Sequence, residues 1–238
     1  VVTVVPTCLA DTLRPRLAAR VVALLRRRGA EAAVARGVTC CGQPAYNAGF
    51  VDDARRVARR TLRALARTTG DVVVPSGSCA AMMAHHWPEL FDGTRDAAAA
   101  RDVAGRVVEL SQWLAARAPS SPPGGTAGPT AAPVAYHGSC HLVRELGARD
   151  NAAAVLAAAG IEVRVPDRAE LCCGFGGTFS VKLPGVSTAM ADEKLDTLAA
   201  TGATTVVGCD LSCLAHLEGR ARARGLDLSF GHLAETVE

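Results

Sequence analysis

Aromatic side chains are scarce in this sequence: two Trp, two Tyr and five Phe among 238 residues. Stacking platforms for single-stranded nucleic acid need such rings, so that ligand class is disfavoured. Lysine is scarcer relative to its role, with Lys182 and Lys194 the only two among 26 basic residues. The net charge of +3 is mild. Arginines spread over 14–28, 55–67 and 220–224 read as solvated helix faces, not as one concentrated stripe, and no nucleic-acid partner is expected. No apolar run reaches bilayer length; the longest, around 152–161, is short and Ala-rich, so no transmembrane segment is expected. No charged–apolar–small leader opens the chain, and a cytoplasmic protein is the expectation. No C-x2-C pair occurs, which removes the usual zinc-knuckle signature. No flavin or dinucleotide fingerprint is evident either.

What the chain does have is nine cysteines in two similar frames. The first is Cys8, Cys40-Cys41-Gly42 and Cys79; the second is Cys140, Cys172-Cys173-Gly174, Cys209 and Cys213. A gap of 32 positions separates Cys8 from Cys40, and the same gap separates Cys140 from Cys172. Counting back from the last cysteine of each frame, Pro75 stands where the second frame has Cys209. In a reducing compartment, cysteines in such numbers argue for metal or redox work over structural disulfides.

The pattern around them alternates strand and helix. Strands are expected at 1–6, 30–35 and 71–75, with helices over 11–28, 52–67 and from Cys79 onward. The second half repeats the order: strands at 134–136, 161–165, 204–207 and 226–230, and helices over 150–159, 187–200 and from Cys213. The fold class that follows is α/β, two pseudo-repeated three-layer halves with parallel sheets. The expected domains are 1–117 and 134–238, joined by a Pro/Gly-rich linker over 118–133. Ligands of parallel sheets gather at the carboxyl ends of strands, where each half places its cysteine loops.

Four thiolates suit a four-iron sulfide cluster, and adjacent cysteines can reach two different irons of one cluster. Four thiolates also make a closed zinc site, so zinc stays open as the alternative. The glycine after each pair is expected to let the backbone approach a bulky group. Cys79 and Cys213 are expected in first helical turns, where the dipole favours a thiolate. His137, His141 and His216 lie near the second frame and could tune it or supply a proton, or simply cap helices. Gln43, Asn47, Thr178 and Ser180 could donate to sulfur. His85, His86 and His232 carry no distinguishing context, and Lys182 reads as an exposed loop cation.

With these residues in view, the chain resembles the lactate utilization protein A family, within the wider "CCG" cysteine-rich group. That group includes the cysteine-rich subunit of heterodisulfide reductase and iron–sulfur subunits of glycolate and glycerol-3-phosphate oxidases. The strings that carry the resemblance are Thr39-Cys40-Cys41-Gly42-Gln43-Pro44-Ala45-Tyr46-Asn47, Pro75-Ser76-Gly77-Ser78-Cys79, Ser139-Cys140-His141-Leu142 and Cys172-Cys173-Gly174-Phe175-Gly176-Gly177-Thr178-Phe179-Ser180-Val181-Lys182. The resemblance implies an iron–sulfur electron-transfer subunit that works with partner subunits, one a second iron–sulfur protein, in oxidising L-lactate to pyruvate. It implies [4Fe-4S] clusters on Cys8, Cys40, Cys41, Cys79, Cys140, Cys172, Cys173, Cys209 and Cys213. In the heterodisulfide reductase relatives a five-cysteine frame holds a non-cubane cluster, which here only the second frame could build. A cluster-based disulfide or quinone reductase and a zinc-stabilised assembly module are the alternatives.

Overall fold

The structure, a computed structural model, describes residues 1–117 and 132–237. The chain divides into two compact units, Val1–Leu110 with Gly176–Thr178, and Ser111–Phe175 with Phe179–Glu238. Most of the expected linker, 118–133, lies outside the described residues. Each unit contains one four-stranded sheet in which every pairing is parallel.

The strands of the first sheet are β1 (Val2–Val4), β2 (Ala32–Val34), β3 (Val72–Val74) and β4 (Val107–Glu109), in the order β2-β1-β3-β4. Those of the second are β5 (Val134–His137), β6 (Val163–Arg164), β7 (Thr205–Gly208) and β8 (Ser229–His232), in the order β6-β5-β7-β8. The two orders are the same. Continuous apolar runs make the central strands: Val72–Val74 is buried at every residue, as a parallel strand covered on both faces must be. From β1 the chain crosses to β2 on one side and then to β3 on the other. The carboxyl ends of β1 and β3 therefore flank the point where the winding reverses, and β5 and β7 do the same in the second sheet.

Three expectations need correction. The helix expected over 11–28 is two helices, Cys8–Leu13 and Leu17–Arg27. Pro15 disfavours helical backbone at Arg14, which adopts φ −138° and ψ 66° and ends the first helix. The first half has a fourth strand, β4, whose three residues are too short to show periodicity. The last strand lies at Ser229–His232, later than the expected 226–230, because its register is set by pairing of Thr205 with Ser229 and Gly208 with His232. No helix among the described residues is long and apolar enough to cross a membrane.

The arginines are not all free on helix faces. Arg220 makes a two-point pair with Asp192 at 2.8 Å, Arg224 reaches Asp196 at 2.7 Å, and Arg59 reaches Asp96 at 2.8 Å. The Arg55 side chain donates to the Leu90 carbonyl at 2.7 Å.

Candidate metal centres

Each sheet delivers its cysteines from the carboxyl ends of three strands. After β1, Cys8 is the first residue of the Cys8–Leu13 helix; after β5, Cys140 is the first residue of Cys140–Arg144. Cys40-Cys41 and Cys172-Cys173 lie in the loops that follow β2 and β6. Cys79 is the third residue of Gly77–Ala81, capped by Ser76, and Cys213 the third of Leu211–Ala223, capped by Asp210. The expected first-turn placement of Cys79 and Cys213 is thus observed, and Cys8 and Cys140 share it.

In the first unit, Cys8 Sγ lies 3.8 Å from Cys40 Sγ, and Cys41 Sγ lies 3.4 Å from Cys79 Sγ. Cys40 and Cys41 are also in contact, so the four sulfurs form one chain of contacts. The second unit repeats it: Cys140 meets Cys172, Cys172 meets Cys173, and Cys173 meets Cys213. All nine cysteines are free thiols. Cys209 is fully buried immediately after β7, at the place Pro75 occupies after β3.

The electrostatics of the two groups also match. The thiols of Cys41 and Cys8 donate to Cys40, and the Gly42 amide adds a bond at 3.4 Å, so the Cys40 pKa is held at about 3. Cys140 and Cys173 do the same for Cys172, with the Gly174 amide at 3.4 Å, and hold it at about 2. Donating to Cys40, together with burial, pushes the Cys8 thiol up; donation to Cys40 and Cys79 pushes Cys41 up. Cys140 and Cys173 are raised for the same reasons. Each group is a close set of four sulfurs, from which a cation would displace the protons.

The glycine of each Cys-Cys-Gly has a packing task that the sequence reading did not include. Gly42 has φ +92°, and a Cβ there would meet the Ala54 carbonyl oxygen at 2.8 Å. Gly174 has φ +84°, and its Cβ would meet the Ser187 oxygen at 2.4 Å. The missing side chain lets the loop pack onto the helix beneath it, Val51–Leu65 or Pro184–Ala199. Only glycine combines this left-handed backbone with so close an approach.

Those two helices bury matching stripes: Ala54, Ala58, Thr61, Leu62 and Leu65 in one, Ser187, Ala191, Lys194, Leu195 and Leu198 in the other. Thr61 braces the first loop, accepting from the Thr39 amide at 2.9 Å and donating to the Cys40 carbonyl at 3.0 Å. At the matching place Lys194 is fully buried and donates to the Ala169 carbonyl at 2.9 Å. Burial lowers its pKa to about 8, against the opposing pull of Cys173, Glu170, Cys213 and Cys172. Sequence reasoning singled out Lys182, which is exposed, and missed Lys194. Its rarity and its place in the buried stripe were the signals available. Trp87 was missed as well; its indole N–H holds the Cys41 carbonyl at 2.9 Å from the start of the Trp87–Leu90 helix, which follows a π-helical segment, Met82–His86.

The histidines divide by role. His141 Nδ1 lies 3.5 Å from Cys140 Sγ. His216 reaches Ser187 Oγ at 3.3 Å, and Ser187 donates to the Gly174 carbonyl at 2.7 Å, so this pair supports the second loop. His232 caps the Leu233–Thr236 helix in a capping box. His137 is buried beside the sulfurs of Cys173 and Cys213. Besides the neighbouring thiols, the backbone amides of Gly42 and Gly174 donate to Cys40 and Cys172.

A repeated parallel sheet that gathers cysteines at its switch point defines a protein of two cysteine-rich domains. Residues 2–84 and 134–218 match the cysteine-rich domain family CCG. Among curated proteins, lactate utilization protein A 2 of Bacillus cereus (strain Q1) is 34% identical over 97% of this chain and 95% of its own length. Lactate utilization protein A of Bacillus cytotoxicus is 36% identical over 99% of this chain and 98% of its own. This chain belongs to the lactate utilization protein A family.

Proposed function

We propose that the chain is an iron–sulfur electron-transfer subunit of a multi-subunit complex that oxidises L-lactate to pyruvate. The observation that carries this reading is the pair of groups that each gather four sulfurs at the carboxyl ends of the strands. The family's name supplies the substrate. The donor set fits an iron–sulfur group: Cys8, Cys40, Cys41 and Cys79 would hold one, and Cys140, Cys172, Cys173 and Cys213, with Cys209 alongside, the other. When bound, such a group supplies reversible one-electron chemistry. The rest is done by the chain. The Gly42 and Gly174 amides donate to Cys40 and Cys172 and favour their thiolate form, and the helix first turns position Cys8, Cys79, Cys140 and Cys213. Trp87, Thr61 and Ser187 fix the loops that present them. Removal of hydrogen from lactate is assigned to a partner subunit, and a further iron–sulfur subunit is the expected electron partner. The reducing cytoplasm is the setting that keeps nine thiols free.

A second reading, disulfide or quinone reduction at the second centre, is favoured by Cys209, a buried fifth thiol that the first frame lacks. Reoxidation of the reduced, isolated chain by a disulfide or quinone would support it over pure electron relay.

The test of the main reading is iron, acid-labile sulfide and zinc per chain after anaerobic purification. About eight irons with matching sulfide correspond to two [4Fe-4S] clusters, and about four to one occupied frame, the second. Zinc without sulfide, persisting through reconstitution with iron and sulfide, would overturn the reading and leave a zinc-stabilised assembly module. Lactate-dependent reduction of the iron should require the partner subunits.

A further inference from the structure

The second sulfur group has a neighbour that the first lacks. His137 ends β5, three residues before Cys140. It is 1% exposed, and neither ring nitrogen has a hydrogen-bond partner among the described residues. A buried polar group left unbonded is destabilising, so it calls for a partner from outside the chain. The ring is placed against the sulfurs: one of its nitrogens, Cys173 Sγ and Cys213 Sγ all lie within 4.8 Å of one another. Among the described residues this is the one such set of potential metal ligands. In the first half, three residues before Cys8, stands Val5, and the Cys41–Cys79 edge gains no nitrogen from that position.

We propose that His137 is a metal ligand of the second centre, binding through a ring nitrogen at the edge formed by Cys173 and Cys213. Two thiolates and an imidazole form a donor set that suits iron or zinc. A neutral imidazole has a lone pair to give to a metal. The proposal rests on the reading that the second frame holds metal, and it applies equally to a cluster or a single ion. It also separates the two centres chemically.

The test uses the full chain carrying Cys40→Ser and Cys41→Ser, so that bound metal reports on the second frame. Histidine is labelled with 15N. One portion is loaded anaerobically with iron and sulfide and reduced with dithionite; another is loaded with Co2+. Pulsed EPR should show one histidine nitrogen coupled with the strength of direct ligation. His137→Val, which installs the residue of the matching place in the first half, should abolish that coupling and weaken Co2+ binding at least about tenfold. The measurement with His137 intact does not depend on His137→Val, so it stands even if that substitution prevents folding. Loaded protein with no nitrogen coupling, or only the weak coupling of a hydrogen bond, overturns the proposal. So does a strong coupling that survives His137→Val and disappears in His141→Ala or His216→Ala. Failure of the second frame to take up either metal also overturns it, while iron and sulfide in the unmodified chain judge the cluster reading separately.

Discussion

The two halves share a sheet order, a loop and a sulfur geometry, yet differ in what they bury beneath the sulfurs. The first half is apolar or neutral there: Val5, Thr61 and Pro75. The second has His137, Lys194 and Cys209 at the matching places, with Asp210 in place of Ser76. Buried polar and charged groups cost desolvation and persist only with partners. Duplicated folds can drift at such positions, but four changes around one sulfur group point the same way. The first half is furnished as a plain thiolate site. The second is furnished to hold additional charge and an additional donor.

The largest test of this contrast is loss of a buried thiol. Cys173→Ser and Cys41→Ser should each remove the metal of one frame and lower iron per chain by about half, counted by iron and sulfide analysis. If either variant empties both frames, the halves are not independent sites. Next come the glycines. Gly174→Ala should destabilise by about 3 kcal/mol and Gly42→Ala by about 2, since both need positive φ and the clash at Gly174 is the closer. Denaturant titration of each variant checks both the size and the order. Lys194→Thr, which copies Thr61, should lower the potential of the second centre by on the order of tens of millivolts, because a buried cation near the sulfurs is lost. A redox titration that shows no shift would remove Lys194 from the electrostatic difference.

The smallest effect should come from the surface of the second half. Asp192 is held below the ordinary carboxylate range, chiefly by the Arg220 hydrogen bonds. Its contribution to stability is therefore present above about pH 4 and is lost as pH falls through its lowered pKa. The effect is small because the pair is largely solvated and screened. Asp192→Asn should flatten that part of the stability–pH curve, followed by thermal melting between pH 5 and 2.

Much of this was readable in the chain. The repeated cysteine spacing placed two groups of thiols, and the β-branched runs with glycine stops placed three strands of the first sheet. What stayed hidden was short or non-local. β4 has three residues, and its partner β3 lies more than 30 positions away, so pairing and not local pattern makes it a strand. Pro15 could have signalled the break in the first helix. Lys194 reads as an ordinary residue of an amphipathic helix until the helix is laid against the Cys172-Cys173 loop.

The sequence by itself determined that two cysteine frames exist, that each sits in an α/β half, and that the frames differ by Cys209 against Pro75. These follow from spacing and composition, which are properties of the linear chain. Only the tertiary structure decided that the glycines serve helix packing, that Thr61 and Lys194 occupy equivalent places, and that His137 meets Cys173 and Cys213. The physical reason is that parallel strands bring together residues separated by many positions, and burial, which sets the cost and the role of a polar side chain, exists only once the sheet and its helices have closed around it.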